Sequence, residues 1–278
     1  MKKRSLPSKG QVREFQAVVW NHYRKHGRHD LPWRHTMDPY RIAVSEVMLQ
    51  QTQVSRVIPK YRAFLNQFPN TKRLADADLA TVLRLWQGLG YNRRAKMLWQ
   101  CANMVSQQRA GRWPRTETDL RALPGIGVYT ARAILVFAYR QPVVLLETNI
   151  RTVYLYHFFP DCPSVSDRAL SEVVELALDM KNAQAWYWAL MDYGTYLKRQ
   201  VGNQNHRSRS YSAQSPFRGS DREIRGAIVR LLTQHDNVAL TSLCVDLPFT
   251  AERIQNQLRA LVTEGLVVIH NDSVRLPR

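Results

Sequence analysis

The run of residues 123–134 combines the residue types and spacing that most directly suggest chemistry. Pro124, Gly125 and Gly127 predict a tight turn, because glycine adopts positive φ easily and lets the backbone approach a partner. The apolar residues that follow predict a helix whose N–H groups and positive dipole end face the turn. Such a turn suits an anion, and on a strongly basic chain we expect a DNA phosphate.

Two glutamates could do acid–base chemistry beside such a turn. Glu147 is the acid in the otherwise uncharged run of residues 142–149. Glu46 lies at the edge of the apolar stripe of a predicted helix, and burial against apolar side chains raises the pKa of a carboxyl group, which can then act as a general acid. An exposed glutamate at the helix edge is an equal interpretation of Glu46 from this segment alone. A phosphate-binding turn with a carboxylate nearby favours an enzyme that acts on DNA over a protein that only binds it.

The composition says more about partners than about the fold. The chain has 278 residues, of which 45% are hydrophobic, enough for one large domain or for a medium and a small one. Its formal net charge of +18 favours a polyanion such as nucleic acid, the alternative being a basic surface kept for solubility. No apolar run approaches the roughly 20 residues of a membrane-spanning helix. The basic start, residues 1–4, is not followed by the apolar region of a signal peptide.

Cysteine usage argues against a metal centre. Cys101, Cys162 and Cys244 lie far apart in the sequence, without a Cys-x-x-Cys pair or a set of four. Zinc sites and iron–sulfur clusters require such ligand sets, so we predict no metal ligands and no iron–sulfur cofactor. Sparse thiols fit ordinary buried positions and a reducing cytoplasm. We therefore expect a cytoplasmic protein, associated with the nucleoid if its source is bacterial.

The coarse pattern predicts an all-α domain at residues 1–197. Residues 11–26 repeat apolar side chains at helical spacing, and Asp38 followed by Pro39 marks a helix start. Helical patterns then continue to the end of this domain without convincing alternating strands. Two of these helices would flank the glycine turn and form a helix–hairpin–helix at residues 119–136.

The rest of the chain predicts a linker and a second domain. Residues 198–220 are basic and rich in Gly, Asn, Ser and Gln, which predicts either a solvated tether or a DNA contact. Residues 221–278 show three helical patterns and a hairpin, which predicts a small α+β winged-helix domain. Its third helix carries polar and basic side chains suited to a DNA groove, although winged helices also serve as protein-binding modules.

Several segments, in consistent order over residues 12–197, resemble the helix–hairpin–helix DNA glycosylases of the endonuclease III superfamily. Among these the chain is most similar to the A/G-mismatch adenine glycosylases. The resemblance implies an all-α fold of two subdomains, followed here by the winged helix. The segments are residues 31–34 (LPWR), 38–40 (DPY), 45–54 (SEVMLQQTQV), 88–91 (GLGY), 123–134 (LPGIGVYTARAI), 147–149 (ETN) and 190–194 (LMDYG).

The resemblance implies roles for four residues around a flipped-out nucleotide. Glu46 falls on the catalytic acid that protonates adenine N7, and Glu147 falls on the carboxylate that stabilises the oxocarbenium-like sugar. Tyr129 and Asn149 match residues that hydrogen-bond around the catalytic carboxylates. Bifunctional relatives carry a lysine at the Tyr129 position, which forms a Schiff base. Tyrosine therefore implies a monofunctional glycosylase that leaves an intact abasic site.

The resemblance also implies how the chain would bind DNA. Gln51, Leu89 and Tyr91 match side chains that wedge into the duplex and fill the gap left by the flipped base. Stacking on the bases there contributes about 1–3 kcal/mol per base. The hairpin residues that would contact DNA are Gly125, Gly127, Val128 and Thr130, with room for a monovalent cation. The implied partner is double-stranded DNA with a mismatched or damaged base, bound by a monomer with no membrane contact.

Three departures from the family pattern bear on the substrate. The carboxylate after the hairpin is usually aspartate, and the extra methylene of Glu147 moves the charge by about 1.5 Å, a misplacement that can cost about 100-fold in rate. The iron–sulfur loop that normally follows residues 191–194 is missing, so we expect basic residues to present charge to DNA in its place. These are Lys198, Arg199, Arg207 and Arg209. The domain with which relatives sense 8-oxoguanine has no counterpart.

The leading interpretation is a monofunctional DNA glycosylase of base excision repair that removes adenine opposite guanine or 8-oxoguanine. A thymine or uracil mismatch glycosylase is the alternative enzyme, because that branch shares a tyrosine at the Tyr129 position. A non-catalytic DNA-binding protein is the alternative from another class, with the hairpin and the winged helix as its working parts.

Overall fold

A computed structural model describes residues 6–277, which fold as two compact units. Unit 1 comprises residues 6–42, 115–118 and 127–213, and unit 2 comprises residues 43–114, 119–126 and 214–277. The helices are α1 (Lys9–His26), α2 (Pro39–Leu49), α3 (Val54–Gln67), α4 (Thr71–Ala75), α5 (Leu79–Trp86), α6 (Arg93–Gln108), α7 (Glu117–Arg121), α8 (Val128–Phe137), α9 (Thr148–Phe158), α10 (Asp167–Ala177), α11 (Ala183–Val201), α12 (Asp221–Gln234), α13 (Leu240–Asp246) and α14 (Ala251–Thr263). Two 3-10 helices span Pro32–His35 and Gln204–Arg207, and the strands are β1 (Val238–Ala239), β2 (Val268–His270) and β3 (Ser273–Arg275). The expected mainly helical fold is confirmed.

Helix α1 begins with the caps that its sequence provides. Ser8 Oγ accepts a hydrogen bond from Gln11 N at 3.3 Å, and Gln11 Oε1 accepts one from Ser8 N at 2.9 Å, which completes a capping box. Phe15, Val19 and Tyr23 form its buried face, one turn apart. This face packs α1 against α10 and α11 within unit 1.

Two other predicted features are present. Helix α2 starts at Pro39, and Asp38 Oδ1 accepts a hydrogen bond from Tyr40 N at 2.9 Å. Proline fits the first helical position because its missing N–H would have no partner there. Helices α7 and α8 flank the glycine turn, so the predicted helix–hairpin–helix is confirmed.

The end of unit 2 contains the predicted winged-helix elements. Three helices, α12 to α14, precede the β2–β3 hairpin, and β1 joins it in an antiparallel sheet of order β1-β3-β2. Asn271 and Asp272 take positive φ values of 45° and 58° at the hairpin turn, where asparagine and aspartate are favoured. This region packs on α5, where Arg84 pairs with Asp236 at 2.8 Å. That residues 221–278 form a domain of their own stays a prediction.

Helix α11 reaches further than the predicted linker allows. It continues to Val201, so Lys198 and Arg199 lie on its last turn rather than in a loop. Buried Leu197 holds this turn against the rest of unit 1, which outweighs the polar composition of the segment. Gly202, with a φ of 78°, ends the helix.

A buried ion cluster joins α11 to the 3-10 helix at Pro32–His35. Asp192 accepts two hydrogen bonds from the Arg34 guanidinium, each of 2.8 Å, and two from Arg28, at 2.8 Å from the backbone N and 2.7 Å from Nε. Burial by itself would raise the pKa of Asp192. The hydrogen bonds and charges of Arg34 and Arg28 outweigh that effect and hold the pKa below its ordinary value.

We expect Asp192→Asn to destabilise the fold by about 3–5 kcal/mol at pH 7, because it leaves the buried Arg34 charge without its partner. Since the folded-state pKa of Asp192 is depressed, its contribution is present above the unfolded pKa of about 4 and is lost as the pH falls through the folded pKa. Urea unfolding from pH 7 down to pH 3 measures both effects. The control is Asp76→Asn, which breaks an exposed pair with Lys72 and should cost no more than about 1 kcal/mol. Equal losses in the two variants would contradict this assignment.

Candidate active site

Glu147 is held at the N-terminus of α9. Its Oε1 accepts hydrogen bonds from the backbone N–H groups of Asn149 and Ile150, both at 2.8 Å. Glu147 thus occupies the N-cap position, where its negative charge meets the positive end of the helix dipole. The carboxylate is fixed in direction by the backbone itself.

The second carboxylate oxygen is bound by side chains. Glu147 Oε2 accepts hydrogen bonds from Asn149 Nδ2 and from Thr148 Oγ1, both at 3.1 Å. Asn149 Oδ1 in turn accepts one from Lys198 Nζ at 3.0 Å. The structure therefore brings together Glu147 and Asn149, as the resemblance implies. It adds Lys198, which the sequence pattern had placed among the DNA-facing cations.

A close backbone approach sets the position of this cluster. A Cβ on Gly194 of α11 would lie 2.3 Å from the Asn149 carbonyl oxygen and 2.8 Å from Asn149 Cβ. Only glycine lets the first turn of α9 lie this near to α11. The buried Asn205 side chain holds the same turn, since its Nδ2 donates to Thr148 O at 3.0 Å and to Thr152 Oγ1 at 2.9 Å.

The first turn of α8 carries the remaining hairpin residues of unit 1. Gly127 is the N-cap, Val128 is exposed, Tyr129 is partly buried and Thr130 is buried. The first N–H groups of an α-helix lack partners within the helix and suit an anion. Gly127 has a φ of −81°, and a Cβ there would meet no atom within 4 Å, so the turn does not require glycine at this position, contrary to expectation.

Two features of the turn require glycine at position 125, which belongs to unit 2. Its φ is +74°, and a Cβ would lie 2.6 Å from Met97 Cβ on α6. The turn is closed by a hydrogen bond from Ile126 N to Leu123 O at 3.2 Å. The expectation of a tight turn is therefore confirmed at Gly125, where it depends on packing against α6 as well as on backbone conformation.

Glu46 lies on α2 within unit 2 and is only 6% exposed. Its neighbours Val44, Val47 and Met48 are buried as well. The burial expected for a general acid is confirmed, and the alternative of an exposed glutamate at the helix edge is wrong. Glu46 belongs to unit 2, whereas Glu147, Asn149 and Tyr129 belong to unit 1.

Arg94 joins two loops of unit 2, and sequence reasoning missed it. Its Nη1 donates to Gln50 O at 2.7 Å and to two other carbonyls at the end of α2, and its Nη2 donates to Leu89 O at 3.0 Å and Gly90 O at 3.1 Å. Burial lowers the pKa of Arg94 to about 10, which leaves it charged at neutral pH. Two adjacent arginines in the first turn of a helix give no sequence signal for this role.

The loops that Arg94 joins present Gln51 and Tyr91. Both are exposed and take positive φ values, 54° and 49°, which are rare for residues with a side chain. Leu89 is only 4% exposed. Of the three residues expected to wedge into DNA, Gln51 and Tyr91 are therefore exposed, and Leu89 is buried.

Residues 214–222 contact the same two side chains. Gln214 Nε2 donates to Gln51 Oε1 at 2.8 Å and to the Tyr91 hydroxyl, and Arg222 Nη1 donates to that hydroxyl at 2.8 Å. These groups line a cavity of about 880 Å³ within unit 2, together with Phe217. More than 120 residues separate the partners, so the sequence gives no local signal for this contact.

The four basic residues expected to face DNA have different environments. Arg199 and Arg209 are exposed, although Arg209 Nε also donates to Ser164 Oγ at 3.2 Å. Arg207 binds the end of α9, with Leu155 O at 3.1 Å, Pro160 O at 2.9 Å and Phe159 O. Lys198 is directed at Asn149. Arg207 and Lys198 thus serve contacts within unit 1.

Residues 6–277 contain no group of three or more His, Cys, Asp or Glu side chains that could hold a metal ion. Cys101 is buried, and burial raises the pKa of its thiol to about 12. Cys162 and Cys244 are partly exposed, so the expectation of buried thiols holds only for Cys101. Within the same described residues, no helix is both long and apolar enough to cross a membrane.

Comparison with known proteins assigns this arrangement to a family. Residues 44–175 match the model of the HhH-GPD superfamily base excision DNA repair proteins. The adenine DNA glycosylase of Mycolicibacterium smegmatis is 35% identical over 262 residues, which cover 87% of this chain and 89% of that protein. The adenine DNA glycosylase of Mycobacterium tuberculosis is 38% identical over 188 residues, or 66% of this chain and 60% of that protein. The chain spans 28% of the human adenine DNA glycosylase, at 39% identity.

Solved structures share the fold. A thermostable thymine-DNA glycosylase superposes with a TM-score of 0.59 at 24% identity, over 66% of this chain and 86% of that one. A trapped covalent complex of endonuclease III with DNA superposes with a TM-score of 0.57 at 16% identity, over 76% of this chain and 92% of that one. At these identities the likeness extends to the fold alone.

We expect Gly194→Ala to destabilise the protein by about 1–3 kcal/mol, because the added methyl group must push α9 away from α11. Gly226→Ala is the matched control, since a Cβ at this helical glycine of α12 meets nothing within 4 Å. That change should stabilise the fold by up to about 1 kcal/mol. Urea unfolding of both variants checks the prediction, and a stabilised Gly194→Ala protein would contradict it.

Proposed function

Because the chain belongs to the adenine DNA glycosylase family within the HhH-GPD superfamily of base excision DNA repair proteins, we propose that it is a monofunctional DNA glycosylase. Its substrate in this proposal is adenine opposite guanine or 8-oxoguanine in double-stranded DNA, bound by a monomer in the cytoplasm. The observation that carries the proposal is the Glu147 carboxylate, fixed by four hydrogen bonds at the first turn of α9.

In the proposed reaction, Glu46 and Glu147 have separate tasks. Glu46, as a buried carboxylic acid, gives its proton to N7 of the flipped adenine, and the C1′–N9 bond breaks with its electron pair leaving on the base. The negative charge of Glu147 stabilises the positive charge that develops on the sugar. A water oxygen then forms the new bond to C1′ and releases one proton to the solvent, from which Glu46 is protonated again for the next turnover. Donors that already hold Glu147 in place need no rearrangement as this charge develops.

DNA contact in this proposal uses the hairpin and the exposed loop residues. The first turn of α8 and the turn at Gly125 would receive phosphate oxygens, and Gln51 and Tyr91 would enter the duplex. The turn at residues 123–126 also offers backbone carbonyl oxygens, which hard cations prefer, although Leu123 O already accepts a hydrogen bond from Ile126 N. A monovalent cation there would support the turn, and no step of the reaction depends on it.

The first test is single-turnover cleavage on a panel of duplexes, read with and without alkali. The panel holds adenine opposite 8-oxoguanine, guanine or cytosine, hypoxanthine opposite thymine, and uracil or thymine opposite guanine. We expect strand breaks in the adenine lanes and only after alkali treatment. Release confined to uracil or thymine would favour the mismatch-glycosylase alternative, and release from no duplex would favour the binding-only protein.

Glu46→Gln and Glu147→Gln should each reduce the cleavage rate at least about 100-fold, because one removes the proton donor and the other the stabilising charge. Glu172→Gln is the control, since this glutamate only pairs with exposed Arg168 on α10. The rate of each variant is measured under single-turnover conditions with saturating enzyme. A Glu147→Gln protein with wild-type turnover would show that the assignment of this residue is wrong.

Tyr129 cannot form a Schiff base, so borohydride should trap no covalent enzyme–DNA adduct during turnover. The measurement is denaturing electrophoresis of labelled DNA after reduction, with a lysine-dependent bifunctional glycosylase as the positive control. A borohydride-dependent adduct formed by the wild-type chain would contradict the monofunctional assignment.

The double variant Arg199→Gln/Arg209→Gln should bind DNA with a shallower salt dependence. Each lost phosphate contact lowers the slope of log K against log salt by about 0.9, so the double change should lower it by about two. Arg168→Gln removes another exposed charge, from α10, and serves as control. Titrations that measure the binding constant between about 50 and 200 mM salt check this, because slopes of this size are resolved over that range. An unchanged slope would mean that these two arginines do not face the backbone.

A further inference from the structure

Lys198, on the last turn of α11, points its ammonium group at the side chain of Asn149. Lys198 Nζ donates to Asn149 Oδ1 at 3.0 Å, and Asn149 Nδ2 donates to Glu147 Oε2 at 3.1 Å. A lysine ammonium can only donate hydrogen bonds, and an ionised carboxylate can only accept them. The two neighbours therefore accept only one orientation of the Asn149 amide, with its oxygen toward Lys198 and its nitrogen toward Glu147.

We propose that Lys198 is a positioning residue for the glycosidic cleavage, which acts through the Asn149 amide to aim the Glu147 carboxylate. This inference rests on the proposed function of Glu147. It departs from the expectation that Lys198 contacts the DNA backbone. In this arrangement α11 supports the site through the Lys198 side chain.

The burial of Lys198 fits a task inside unit 1. Its side chain is partly buried, whereas the next residue, Arg199, is exposed. Burial lowers the pKa of Lys198, and the charge of Glu147 opposes that shift. Lysine is seldom drawn from water without a partner. Here the partners are the Asn149 carbonyl oxygen and, beyond it, the negative charge of Glu147.

Backbone contacts on both sides of Lys198 place its side chain beside Asn149. Gly194 lies one helical turn before Lys198, so both residues share a face of α11. The contact of Gly194 with Asn149 brings that face against the first turn of α9. Asn205, seven residues after Lys198, holds the Thr148 carbonyl of the same turn. Gly194 and Asn205 thus fix the backbone of α9, and Lys198 fixes the Asn149 amide that the backbone contacts leave free to rotate.

Without Lys198, the Asn149 oxygen would lose this donor, and the amide would be held mainly by the hydrogen bond from its Nδ2 to Glu147 Oε2 and could swing away from the carboxylate. Oε2 would then lose one of its two side-chain donors. The two backbone hydrogen bonds to Oε1 would remain. The expected consequence is a misdirected carboxylate in a folded protein that still binds DNA.

The test compares Lys198→Met, Lys198→Arg and the control Lys181→Met in the full-length chain. Lys181 is an exposed lysine just before α11. For each protein, the single-turnover rate on DNA with adenine opposite guanine and the Kd for the same duplex are measured separately. We expect Lys198→Met to lower the rate about 10- to 100-fold while the Kd changes less than twofold. Lys198→Arg keeps a charged donor. The logarithm of its rate should therefore lie at least a third of the way from that of Lys198→Met back to that of the wild type. Lys181→Met should match the wild type in both measurements.

A double-mutant cycle with Asn149→Leu tests whether Lys198 acts through the amide. If it does, Lys198→Met should change the rate less than twofold when Asn149 is already replaced, because the link is gone. Full additivity of the two losses would overturn the proposal. A weaker Kd with an unchanged rate would overturn it too, since Lys198 would then contact DNA. A borohydride adduct that forms with the wild type and not with Lys198→Met would also overturn the proposal, because Lys198 would then be a nucleophile.

The parent assignment is checked in the same experiment. If the wild type cleaves the duplex, Glu147→Gln does not, and Lys198→Met retains the wild-type rate, only the positioning role of Lys198 is wrong. If Glu147→Gln keeps the wild-type rate, the proposed role of Glu147 is wrong and the role of Lys198 is wrong with it. Urea unfolding of Lys198→Met, with an unchanged midpoint, excludes global unfolding as the cause of a lost rate.

Discussion

The contact between α9 and α11 is the constraint on which the candidate site in unit 1 depends. At Gly194 there is no room for even a methyl group, so the first turn of α9 rests directly on α11. The N-cap of α9 is Glu147, and its position follows from that contact. On the same helix, Asp192 binds the cationic cluster of Arg34 and Arg28. Helix α11 therefore carries both the main buried ion cluster of this region and the surface that sets the carboxylate.

Arginine is used in both units to end helices and join loops. Arg94 binds carbonyl groups at the end of α2, and Arg207 binds carbonyl groups at the end of α9. The last carbonyls of a helix lack N–H partners within it, and a guanidinium with five donors can satisfy several of them at once. Part of the net charge of +18 is thus structural. A basic composition favours a nucleic-acid partner, but it does not by itself show which cations face that partner.

Much of the fold could be predicted from local sequence signals. Helix starts, the hairpin turn at Gly125 and the β2–β3 turn each depend on a few neighbouring residues, and each is present in the structure. The burial of Glu46 was open to two interpretations, because helical periodicity gives the face of a helix but not what covers its edge. The roles of Arg94, Gln214 and Lys198 could not be predicted, since each binds a residue far away in the sequence: Gln50, Tyr91 and Asn149 lie 44, 123 and 49 residues away.

By itself, the sequence determined the secondary structure, the family and the two carboxylates that could do chemistry, because helix caps, glycine turns and motif spacing are encoded within short stretches. The tertiary structure alone decided what each polar side chain contacts. Two glycines of one turn illustrate the difference: Gly125 is required because Met97 packs against it, whereas nothing crowds Gly127. In the same way, four cations that look alike in the sequence divide between solvent, the end of α9 and the Asn149 amide. Long-range packing, which has no periodic signal in the chain, makes that division.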